Sequence, residues 1–84
     1  MHGRLRGTQG ATMTDQERRH LAQADRHITQ CTDHIARQKK LIRQIVQRGQ
    51  PTVWAEGMLE ALQTRLRAFE RHRTLIVARM DAGR

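Results

Sequence analysis

Residues 20–47 read HLAQADRHITQCTDHIARQKKLIRQIVQ, four seven-residue blocks in which Leu21, Ile28, Ile35 and Ile42 fall in phase. Ala24, Cys31 and Ile45 fill the intervening positions three residues on, and Gln38 takes the one polar place in that series. An apolar period of about 3.5 residues keeps a single stripe of a helix turned toward a partner helix, so this stretch predicts a coiled-coil seam.

The flanks of the stretch set where that helix starts and stops. Thr14-Asp15-Gln16-Glu17 has the form of a capping box, in which the Thr14 hydroxyl and the Glu17 carboxylate each accept from the other residue's amide. Asp15 and Glu17 also suit the positive end of the helix dipole. At the other end Gly49 is free to take the left-handed conformation that closes a helix. Lys39, Lys40, Arg43 and Arg48 are expected to favour its last carbonyls. The first helix is therefore predicted over about residues 14–48, with a turn at 49–51. Pro51, with fixed φ and no amide hydrogen, is expected in the first turn of a second helix over about 52–81. Ala55, Leu59, Leu62, Leu66, Phe69, Arg73, Ile76 and Met80 continue the three-four spacing there.

So short a connection only permits an antiparallel neighbour. The fold class read from the chain is all-α: one domain, residues 14–82, forming a two-helix antiparallel coiled-coil hairpin. Charge agrees, since reversal brings Lys39, Lys40 and Arg43 toward Glu56 and Glu60, and Asp15, Glu17 and Asp25 toward Arg73 and Arg79. Residues 1–13 hold three of the six glycines without any period and read as a disordered tail, with Met13 an alternative start.

The chain carries a formal net charge of +8. Residues 1–13 contribute two bases, residues 14–50 eight bases against four acids, and residues 51–84 six bases against four acids. Read along the chain, the excess is spread over all three segments, as expected of solvated helix faces. The alternative reading, a basic hairpin that binds nucleic acid, would take its phosphate contacts from Arg37, Lys40, Arg43, Arg65, Arg67 and Arg71. One Trp, one Phe and no Tyr leave few platforms on which single-stranded bases could stack.

His20, His27 and His34 recur every seven residues beside the seam. That spacing separates neighbours by two helical turns, about 10 Å, whereas imidazoles sharing one metal converge to within about 2.1 Å of it. Half-buried histidines flanking the seam are expected, with His72 near His27, and no metal or cofactor is called for. Histidine changes charge near pH 6.5, which leaves room for pH-sensitive packing. Cys31 lies mid-helix beside Thr32 and Asp33, a setting that does not activate a thiol. No carboxylate pair, triad or phosphate loop occurs, so the sequence predicts a protein that is not an enzyme.

Trp54, Met58, Ala61, Ala68 and Leu75 form a second apolar stripe on the second helix, and Leu41 with Val46 widens the first helix near the turn. This exceeds what one partner helix covers, so self-association as a dimer, a four-helix bundle, is expected. Trp54, Met58, Leu75, Leu41 and Val46 are the interface candidates, and another helical protein is the alternative partner. No apolar run is long enough to cross a bilayer and no secretory leader is visible, so a soluble protein of the reducing cytoplasm is expected, with Cys31 unpaired.

HLAQADRHI from His20, HIARQ from His34, RGQPT from Arg48, AEGMLEAL from Ala55 and ERHRTLI from Glu70 together resemble short helical-hairpin proteins of soil alphaproteobacteria, notably rhizobial relatives. The likeness covers most of the chain after Met13. It implies the hairpin and a bacterial cytosol, and it carries over no activity and no functional residue.

Overall fold

The computed structural model describes residues 14–83; the tail and the alternative start at Met13 lie outside them. Two helices make up the described chain, α1 (Asp15–Gln47) and α2 (Val53–Ala82), folded back on each other as a hairpin. There is no strand among the described residues.

The capping box opens α1: the Glu17 amide donates to Thr14 Oγ1 at 3.0 Å and the Thr14 amide to Glu17 Oε1 at 2.9 Å. At its far end Gly49 turns to φ 71°. Its amide donates to the Val46 carbonyl at 2.9 Å while the Gln50 amide reaches back to Ile45 at 3.1 Å. Those are the two bonds of a Schellman closure, and they use the carbonyls that the helix leaves without partners.

Two expectations at the turn are corrected. Pro51 lies outside α2, ahead of Thr52, whose φ −111° and ψ 3° mark it as the residue before the first helical one. Proline falls naturally one or two residues after such a closure because it cannot continue the helix. The last turn of α1 holds no base, and of the four expected at this end Arg48 alone adjoins it, as the C-cap residue. Lys39, Lys40 and Arg43 lie earlier in α1, where the end effect of the dipole has faded.

The seam is buried along its length, but unevenly. Ala24, Ile76 and Met80 form one buried cluster with Leu21 against it, toward the chain termini. Cys31, Ile35 and Leu62 form a second, flanked by Leu59, Leu66 and Phe69. The Cys31 thiol donates to the Leu62 carbonyl at 3.3 Å. Closer to the turn the buried Gln38 donates from Nε2 to the Ala55 carbonyl at 2.9 Å, so the polar residue in the seam has a partner on α2. Leu62, only 3% exposed, is the centre; Leu66 and Phe69 are partly buried, because a two-helix layer has nothing to cover their outer sides.

Arg73 Nε donates to Asp25 Oδ1 at 2.5 Å, the cross-hairpin ion pair that antiparallel reversal implies. Half exposed at both ends, it is worth about 0.2–1 kcal/mol and selects register more than it stabilises. Among the described residues no ion pair joins Glu56 or Glu60 to Lys39, Lys40 or Arg43; Glu56 takes the Thr52 hydroxyl at 2.6 Å instead.

Candidate interaction surfaces

The buried seam fixes the heptad letters: Leu21, Ile28, Ile35 and Ile42 are a positions in α1, and Leu59, Leu66, Arg73 and Met80 in α2. Each residue advances about 100° around its helix, so e and b lie on one flank of the seam, g and c on the other, and f on the back. Reversing α2 puts its g positions beside those of α1. The surface follows this geometry, since one groove is lined by His20, Gln23, His27, Ala68 and His72 and the next by His27, Gln30, His34 and Arg65, all at g or c.

The apolar surplus is uncovered. Trp54 is 91% exposed, and Met58, Leu41 and Val46 also face solvent. Val53, at 72% exposure, belongs with them although the stripe read from sequence leaves it out; its place just inside the start of α2 was the available signal. These five surround the turn end of the hairpin, and Leu75, also exposed, lies well along α2 from them. Burying one tryptophan, some 150–250 Å² of mostly apolar surface, is worth about 4–6 kcal/mol before the costs of association.

The candidate phosphate contacts do not converge. Arg37 and Arg65 lie at c and g on one flank, Arg43 and Arg67 at b on the other, and Lys40 and Arg71 at f on opposite backs of the hairpin, all exposed.

The histidines depart from expectation as well. Of the four, His27 is half-buried, its ring 5.0 Å from that of Phe69, whereas His20, His34 and His72 are exposed at the same register position on the margin of the seam. Among the described residues no group of three His, Cys, Asp or Glu side chains is placed to hold a metal ion.

A segregation of charge that is invisible along the chain appears across it. Asp15, Glu60 and Asp81 fall at b, Asp25, Glu56 and Glu70 at e, Asp33 at f and Glu17 at d. The g and c flank therefore carries none of the eight carboxylates. It carries Arg37, Arg65 and Arg79 together with His20, His27, His34 and His72.

These features define a two-helix antiparallel hairpin with an apolar turn end and one carboxylate-free flank. No helix among the described residues is long and apolar enough to cross a membrane. No protein-family model, curated protein or solved structure matches the chain.

Proposed function

We propose that this chain is a non-enzymatic interaction module of the bacterial cytoplasm that pairs with a second copy through the apolar surface around its turn. The observation that carries the reading is Trp54, an indole almost wholly in water beside Met58, Leu41, Val46 and Val53. Two hairpins overlapping at their turn ends would form a four-helix layer there and remove this surface from solvent. Arg65 and Arg79 limit the overlap, because extending it along the same flank would set like charges against each other.

Binding to nucleic acid through the six arginines and lysines has less support, since they are spread over both flanks and both backs of the hairpin. Salt separates the two readings: apolar pairing persists or strengthens with ionic strength, whereas phosphate contacts weaken steeply. Sedimentation should find a dimer at micromolar concentration, and Trp54→Glu should dissociate it. A single species at 9.8 kDa throughout that range would overturn the reading.

A further inference from the structure

From the flank that carries no carboxylate, we infer that this hairpin has a second docking surface, distinct from the turn end, whose partner is an acidic amphipathic helix. Three observations meet there. Along its g and c positions arginine and histidine alternate with small or apolar residues: Ala61, Arg65, Ala68, His72, Leu75, Arg79. The two grooves between the helices have apolar floors, made by Ala24 and Phe69 in one and by Cys31, Leu62 and Phe69 in the other. Their rims are cationic or polar from both helices, with His20, His27 and His34 on α1 facing His72 and Arg65 on α2.

An apolar furrow with cationic rims is the complement of a helix whose apolar stripe is flanked by carboxylates. A second copy presenting this same flank fits badly, because it would bring Arg65 and Arg79 against their own counterparts without an intervening acid. A nucleic-acid backbone fits the charge but not the floor, since such interfaces are polar and this one places Ala68, Leu75 and Phe69 between its cations. The third helix would lie along the hairpin and complete a three-helix arrangement, covering the outer side of Phe69 that the seam leaves open.

The formal charge on this surface comes from Arg37 on α1 and from Arg65 and Arg79 on α2, and the imidazoles of His20, His27, His34 and His72 stand among them.

The test uses the full chain, with and without Trp54→Glu so that pairing through the turn end is controlled separately. The probes are a synthetic helical peptide with a leucine stripe flanked by glutamates, the same peptide with lysines in their place, and a duplex RNA. The glutamate peptide should bind one to one, and the lysine peptide should not bind. Arg65→Glu with His72→Glu, both exposed, should weaken binding about tenfold or more. Arg67→Glu on the other flank should leave it within about twofold. Equal affinity for the two peptides, unchanged affinity in the double variant with its helix content intact, or tighter binding of the RNA than of the glutamate peptide would each overturn the inference.

Discussion

Alanine should have opposite effects at two glycines of this hairpin, and the structure supplies the reason for each sign. At Gly49, φ is +71° and an added Cβ would meet nothing within 4 Å, so the cost of a side chain is purely that of its backbone conformation. An L-residue held left-handed there costs about 1–2 kcal/mol. The loss is partly offset by about 0.4–1 kcal/mol, because alanine restricts the unfolded chain more than glycine does. The net expectation for Gly49→Ala is a loss of about 1 kcal/mol, or roughly 4–8 °C in Tm for a domain of this size. D-alanine, introduced by chemical synthesis, restricts the unfolded chain equally but fits φ +71°, so it should gain about 0.4–1 kcal/mol. Unfolded-state effects cancel between the two enantiomers, and their difference isolates the strain. Gly57, inside α2 with open space where a Cβ would stand, reverses the sign: Gly57→Ala should stabilise by about 0.5–1 kcal/mol through helix propensity. Thermal and urea denaturation at one fixed protein concentration would measure all three. Equal stability of the L- and D-alanine chains would refute the left-handed closure of α1.

Other outcomes follow from the seam. Leu62→Ala should cost about 2–5 kcal/mol, Leu66→Ala less because it is partly exposed, and Arg67→Ala no more than about 0.5, measured by urea denaturation; equal effects would mean the register is wrong. Cys31→Ser retains a donor to the Leu62 carbonyl and should cost about 1 kcal/mol, while a thiol reagent should label Cys31 slowly in the native state and fast in urea. Spin labels at Gln30 and Arg71 should lie close together within one chain, and replacing Gly49 and Pro51 with alanine should favour a continuous helix separating them by about 60 Å. A long intramolecular distance in the parent chain would exclude the hairpin.

Sequence alone determined the elements whose causes are local. The three-four spacing from Leu21 to Ile45 and from Ala55 to Met80 marks every residue of the seam, because helical side chains three and four apart share a face. The capping box at Thr14 and the closure at Gly49 were legible for the same reason, being settled within a few residues. Pro51 was misplaced by one step of that local logic, since the closure draws the residues after Gly49 into the turn.

Only the tertiary structure decided what the outward positions do. Counted along the chain the charges look evenly dispersed, because neighbours on a helix diverge by about 100°. Folding α2 back on α1 brings residues far apart in sequence together, Arg73 onto Asp25, the Phe69 ring onto His27 and the Ala55 carbonyl onto Gln38. The same reversal sets g beside g, which collects four histidines and three arginines on a flank without a carboxylate. It also leaves the half-burial expected of His20 and His34 unrealised, while His27, at the same register position, is half-buried beside the Phe69 ring. Helix formation and seam pairing depend on spacing along one chain, whereas the chemistry of each flank depends on the direction and register in which two helices meet, and those are set by contacts between residues that the sequence keeps apart.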